Sequence, residues 1–322
     1  MLQLLADGLI IGSIISLGAI GLTLTFAILR FSNFGHGELL AWGSYFALSA
    51  LAVFAALGLT DAAAPHAPLW PFSFGWPFSF GWPLALALLG AAVMTAWLAL
   101  LIDWLLFKRL RLQGSITLVI ASFGAALAVR NLLLFSYGGI PRYYSQELQI
   151  ALPIVPRSGL FGWGGGMRIT PDQLFVLGLT VVTVIALHWF LSRSTLGRAM
   201  RATADNRDLA RIAGIDPEAM HRAAWVLGAL LAAMAGVFAG LTVQLRPTLG
   251  LDLLLPLFAA VILGGIGSVW GAVVGGLVVG LAESFAVAWV GAEWRAGAAF
   301  VVLTAMLLVR PRGLFGSHGE TR

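Results

Sequence analysis

Apolar residues run in nine blocks, at about 8–29, 39–60, 84–106, 116–135, 173–191, 223–245, 253–267, 269–290 and 296–309, separated by polar or glycine-rich gaps. Inside a bilayer each backbone N–H and C=O needs a partner within its own segment, so each block is expected to be a helix. A full crossing takes about 20 residues. Two of the last three blocks fall short of that, and Gly264, Gly265 and Gly267 interrupt the junction between 253–267 and 269–290. The region 253–290 is therefore expected to hold a broken or re-entrant helix. The pattern predicts an all-α integral membrane protein, a polytopic bundle of about eight to nine spans forming one domain over residues 1–322.

Basic side chains concentrate in two gaps. Lys108, Arg109 and Arg111 follow one span, and Arg193, Arg198, Arg201, Arg207, Arg211 and Arg222 fill the loop 192–222, whereas 61–83 carries none. Positive loops stay in the cytoplasm, which puts 61–83 and the N-terminus outside. Arg310, Arg312 and Arg322 place the C-terminus inside. Parity then favours nine crossings, with eight as the alternative. The external loop 61–83 holds PFSFGWPFSFGWP, a duplicated six-residue unit suited to an interfacial aromatic belt. The external loop 136–172 is longer and more polar, and offers the largest surface to a soluble partner.

The loop 192–222 is more ordered than a topology signal needs to be. Residues 201–214, RATADNRDLARIAG, read as one short helix with a narrow apolar face from Ala202, Leu209, Ile212 and Ala213. Asp208 and Arg211 stand three apart, and Gly214 supplies a left-handed stop. Asp216, Pro217 and Glu218 then start the next helix with a cap, a proline at the first position and an acid in the first turn. A short helix displayed on the cytoplasmic side suits docking by a partner protein.

Composition narrows the chemistry. The chain is 60% hydrophobic and 10% charged, too apolar for a soluble domain. Its +5 charge sits in short loops beside spans, where membrane topology explains it better than nucleic acid does. The absence of cysteine removes disulfide, thiolate-metal and thiol-nucleophile chemistry. The N-terminal apolar segment lacks a basic leader and a cleavage site, and is expected to stay as the first span. Lys108 is the single lysine and follows no glycine loop, so the chain has no phosphate-binding loop for ATP. The glycine-rich segment 264–276 lacks the strand and helix context of a dinucleotide site, and suits close helix packing or a break lining a substrate path. His36, His66, His188, His221 and His318 are scattered, so neither a metal nor another cofactor is expected.

Ionisable groups in apolar surroundings are functional candidates by default. Asp7 and Asp103 fall near span ends, where they snorkel or cap, and Arg130 falls toward the outer end of its span, within reach of the interface. Glu283 lies within GLVVGLAESFAVAW, either as polar glue in the bundle or as a path or gating residue. In RFSNFGHGELLAWGSY, Asn33, His36 and Glu38 occupy the tight turn between the first two spans on the cytoplasmic side. That turn either caps the second helix or acts as a hinge near the docking surface.

These segments together resemble the permease subunits of ATP-binding-cassette importers for branched-chain amino acids, the first of the two paired permeases in particular. The resemblance rests on Asn33, Phe34, His36, Gly37 and Glu38, on ITLVIASFGAALAVRN at 116–131, on GRAMRATADNRDLARIAGID at 197–216, and on AAVILGGIGSVWGAVVGGLVVGLAE at 259–283. It implies a second, similar permease, two cytoplasmic ATP-binding subunits and an external substrate-binding protein in the bacterial inner membrane. It implies that loop 192–222 is the coupling element, with Arg198, Arg201, Ala204, Asp205, Ala210, Gly214 and Ile215 at motif positions beside Asp208 and Arg211. It places the GGIGS segment near the path between subunits. The duplicated FSFGWP unit departs from the plainer family loop. The same family carries other amino acids, amides and urea, so the substrate label is inherited from it.

Two rival classes make different demands. An ion-coupled secondary transporter needs an acid or a cation cage at mid-membrane, for which only Glu283 offers itself, and it leaves the displayed helix unexplained. An intramembrane enzyme needs reactive groups at matched depth, and only isolated ones occur.

Overall fold

The computed structural model describes residues 1–59, 82–144, 151–155, 167–310 and 313–315. Most of loop 61–83 with its duplicated unit up to residue 81, much of 136–172 and the last arginine, Arg322, lie outside the described residues. In chain order the elements are α1 (Leu2–Leu29), α2 (His36–Ala56), α3 (Trp82–Ile102), a π-helical turn (Asp103–Phe107), α4 (Lys108–Leu110) and α5 (Ser115–Tyr137). There follow β1 (Leu152–Val155), β2 (Met167–Ile169), α6 (Pro171–Arg193), α7 (Thr195–Asp205), α8 (Arg207–Ile212) and α9 (Pro217–Thr242). The chain closes with α10 (Leu249–Gly264), α11 (Val269–Trp289), a 3-10 turn (Ala292–Trp294) and α12 (Arg295–Val309). The two strands form a small antiparallel pair, and a single antiparallel bridge joins Arg142 to Leu245.

Eight of the described helices are long and apolar enough to cross a membrane. The ninth apolar helix, α10, has 16 residues, or about 24 Å of rise against a hydrocarbon core of about 30 Å. It turns back into α11 through residues 265–268, where Gly265 and Gly267 take φ of 98° and 91°, conformations that side chains with a Cβ rarely adopt. The break expected near 253–290 is therefore a tight turn between a short helix and a full span.

Which ends share a side follows from contacts. The Arg168 N–H donates to Gln3 at 2.8 Å, and Ser284 donates to the Leu4 carbonyl at 2.7 Å, so the strand pair, the start of α1 and the end of α11 lie together. At the other end Arg30 donates to the carbonyls of Ala204 and Asp205, and Arg111 reaches Glu218. The Leu314 N–H meets the Leu263 carbonyl at 2.8 Å, which brings the chain end back to the 265–268 turn.

Helices α1 and α9 form the buried centre, whereas α5, α6 and α12 expose most of their apolar surface. Helix association within lipid has little hydrophobic drive, so close backbone approach carries it. Gly8 and Gly12 of α1 face Leu281, Leu277 and Gly280 of α11, where an added Cβ would collide with main chain. Ser16 joins the same seam by donating to the Val273 carbonyl at 3.0 Å.

Candidate functional site

The element between α6 and α9 is built from successive caps. Ser194 accepts from the Gly197 N–H at 2.9 Å to start α7, and Gly197 lies so close to the Leu191 backbone that no larger residue fits. Residues 201–214 are two helices, which corrects the single helix expected from the sequence. Asn206 takes an extended conformation (φ −147°, ψ 108°), ending α7, and its side chain accepts from the N–H groups of Asp208 and Leu209 to start α8. Gly214 has φ 83°. Its N–H bonds to the Arg211 carbonyl and that of Ile215 to the Ala210 carbonyl, the paired bonds of a Schellman stop. Asp216 then caps α9 through the Glu218 N–H at 2.9 Å.

Met200, Thr203 and Ala210 anchor this element inward. Leu209 and Ile212 point out, 62% and 84% exposed, so the expected apolar face is turned away from the bundle. Arg198, Arg201, Asp205, Asp208 and Arg211 are also exposed. Among the described residues no ion pair joins Asp208 to Arg211.

Arg111 links the root of this element to α3. One guanidinium nitrogen donates to both oxygens of Asp103 at 2.6 and 2.7 Å, and the other to both oxygens of Glu218 at 2.7 Å. The second nitrogen also donates to His221 Nδ1 at 2.8 Å. Asp103 is therefore a buried ion-pair partner rather than a snorkelling end group.

Asn33, His36 and Glu38 sit deeper than a cytoplasmic turn. His36 Nε2 donates to the Gly18 carbonyl at 3.0 Å, a point about 16 Å along α1 from Leu29 at helical rise. Residues 30–35 therefore fold back into the bundle before α2 begins. Asn33 holds this return by accepting from the Gly35 N–H at 3.0 Å. Glu38, 3% exposed, lies 3.4 Å from Arg130, whose charge is thus spent inside the bundle and not at the interface. Gly37 meets the backbone of Gly250, joining the starts of α2 and α10.

The glycine turn connects to α7. The Gly267 N–H donates to Thr23 at 2.9 Å, and Gly264 packs against Gly271. Gly267, Trp270 and His188 share an inner cavity of about 250 Å³ with Met200, Arg201 and Ala204 of α7. Two separate sequence signals thus line one space.

A second cleft, of about 430 Å³, opens between α1, α9, α10, α11 and α12 toward the end of the bundle that holds the start of α1 and the end of α11. Glu283 lines it, together with Arg246, Asp252, Glu293 and Arg295, none of which stood out in the sequence. Arg246 and Asp252 pair at 3.2 Å, and Arg295 lies 4.0 Å from Glu283. The available signal was the placement of RPTLGLD and AEWRA at the edges of apolar blocks. Nearby, Tyr144 donates to the Ser44 carbonyl at 2.7 Å, tying the outer segment to α2. Burial pushes its hydroxyl well above the ordinary phenol range, so it stays a donor.

Among the described residues no group of histidines and acids has the arrangement of a metal site. The bundle instead offers two cavities with mixed apolar and charged linings and an element, α7–α8, with exposed side chains.

The model of the branched-chain amino acid transport system permease component matches residues 4–310. The chain is 31% identical over 319 residues to the high-affinity branched-chain amino acid transport system permease protein BraD of Pseudomonas aeruginosa, covering 98% of this chain and 95% of that one. It is 29% identical over 323 residues to the corresponding protein LivH of Escherichia coli K12, covering 98% and 95%. The autoinducer 2 import system permease protein LsrC of E. coli matches 48% of this chain and 42% of its own length at 27% identity. Matched almost from end to end, this multi-pass inner-membrane chain belongs to the family of permease components of branched-chain amino acid transport systems.

Proposed function

We propose that this chain is the translocation subunit for branched-chain or related amino acids, working with a second homologous permease, two cytoplasmic ATP-binding subunits and an external binding protein. The observation that carries the reading is the α7–α8 element. It is capped at every junction, anchored by Met200 and Ala210, and leaves Leu209 and Ile212 exposed. An exposed apolar pair on an element that also exposes Arg198, Arg201, Asp205, Asp208 and Arg211 suits a protein partner. With no phosphate-binding loop in the chain, the energy enters from that partner.

Two routes lead inward from the docking element. Through Gly214, Ile215 and Asp216 it reaches Glu218, then Arg111 and Asp103 on the α3 side. Through Met200 and Arg201 it reaches the inner cavity and the glycine turn at 265–268. Partner ATPases that bind one arrangement of this bundle more tightly than the other shift it between outward-open and inward-open states. The external segment 136–172 is the proposed surface for the binding protein, and Asn33, His36 and Glu38 form the hinge between α1 and α2.

Reconstitution into proteoliposomes tests this. Radiolabelled leucine uptake is expected only with both permeases, the binding protein, ATP and hydrolysis-competent ATPases. Uptake that persists with ATPases unable to hydrolyse ATP would overturn the reading in favour of ion coupling.

A further inference from the structure

Resting on that reading, we propose that the outer cleft is a zwitterion-binding subsite on the translocation path. Glu283 takes the α-ammonium of the amino acid, Arg295 and Arg246 take its α-carboxylate, and Ile11, Ile14 and Leu253 take its apolar side chain.

Glu283 carries the argument. Its residue is 2% exposed, yet one carboxylate oxygen has no hydrogen-bond partner, and the other lies 4.0 Å from Arg295. That separation is an ion pair without a hydrogen bond. A carboxylate held away from water with an open acceptor is costly unless something completes it. A residue serving only as polar glue between helices would bond a donor on a neighbouring helix at direct distance; Glu283 faces the cleft instead.

An ammonium supplies what is missing, because it brings three donors on a compact charge. The carboxylate end of the same ligand needs a cation nearby. Arg295 and Arg246 are 47% and 43% exposed in their side chains, each paired with one acid of the cleft. Each can therefore turn its guanidinium fork toward a ligand carboxylate in bidentate fashion. Ile11 and Ile14 of α1 and Leu249, Leu253 and Pro256 of α10 give the cleft an apolar side, beside Thr242, Gln244, Asp252 and Glu293, and the volume of about 430 Å³ falls in the range of small-molecule pockets. A ligand with two opposite charges close together and an apolar tail matches all three surfaces. An amide, a simple carboxylate or urea matches fewer.

The position suits transit as well. Glu283 is six residues before the end of α11, about 9 Å in from the outer end by helical rise. The facing wall belongs to α10, the short helix that leads into the glycine turn.

The test uses the complete transporter. In proteoliposomes Glu283→Gln is expected to lower the maximal rate of leucine uptake by about tenfold or more, while KM, set by capture outside, moves far less. Glu283→Asp is expected to restore part of the rate. In a second measurement needing no variant, thermal unfolding of the detergent-solubilised wild-type transporter is followed with leucine, leucinamide and 4-methylpentanoate, which lacks the ammonium. Leucine is expected to raise the Tm most. Wild-type uptake rates in Glu283→Gln, or equal shifts from all three compounds, would overturn the subsite and leave the permease reading intact. A wild-type transporter with no ATP-driven leucine uptake would instead overturn the permease reading, while the unfolding series still decides the cleft. If the cleft is covered by the second permease, none of the compounds shifts the Tm, which also overturns the subsite.

Discussion

Arg111 holds four carboxylate oxygens and a histidine nitrogen with one guanidinium, and most of its worth comes from the buried side. Asp103 has 6% side-chain exposure and Glu218 40%. Removing Arg111 leaves Asp103 as an uncompensated buried charge, an arrangement that costs about 3–5 kcal/mol, whereas the exposed pair with Glu218 adds about 0–1 kcal/mol. Arg111→Met is therefore expected to lower thermal stability in detergent strongly. Combining it with Asp103→Asn is expected to recover much of the loss; equal stability of the single and double variants would refute the pairing. The sequence marked Asp103 and Arg130 as ionisable groups in apolar surroundings but could not name their partners. Depth is local information, carried by neighbours in the chain. Pairing is set by tertiary packing, which brings Arg111 to Glu218 over a separation of 107 residues. The same packing brings Arg130 to Glu38, and Arg295 to Glu283.

At the scale of elements, local chemistry was legible wherever a cap or a glycine decided the outcome. Gly214 as a left-handed stop and Asp216–Pro217 as a restart both follow from side-chain reach and backbone sterics, and both stand in the structure. The division at Asn206 obeyed the same capping rule, but the apolar spacing of Ala202, Leu209 and Ile212 suggested one continuous helix and outweighed it. The inward return of residues 30–35 had no local signal, since it depends on Gly21 of α1 leaving room for His36 and on the Gly18 carbonyl accepting from it. Gly214→Val forces a β-branched side chain into φ 83°, a strain on the order of 1–3 kcal/mol. Ile215 and Asp216 then shift, and the docking element loses its fixed angle to α9. Co-purification with the ATPases and coupled uptake are expected to fall about tenfold, as a loss of 1.4 kcal/mol gives, with membrane insertion preserved. Gly214→Asn, which tolerates the left-handed region, is expected to retain most coupling. Normal coupling in Gly214→Val would remove this turn from the transmission route.

For the whole molecule the open quantity was parity. Loop charge put the two termini on opposite sides, while the shortness of the 253–267 block left the count between eight and nine. The structure explains why both numbers arose. Helix α10, with 16 residues, is too short for a standard span, and it starts beside Gly37 and ends where α11 turns back, so a short ninth apolar helix joins the eight long ones. Residues 243–248, bridged to Arg142 through Leu245, join the end of α9 to the start of α10. Because the chain has no cysteine, single introduced thiols report sidedness without background. In intact right-side-out vesicles, Leu2→Cys and Val290→Cys are expected to react with a membrane-impermeant maleimide. Ile212→Cys and Phe315→Cys, on exposed side chains at the other end, are expected to react only after permeabilisation. Labelling of Leu2→Cys and Phe315→Cys from the same side would require an even number of crossings. The short helix would then have to be re-entrant, and the outer cleft and the glycine turn could not face opposite compartments as alternating access demands.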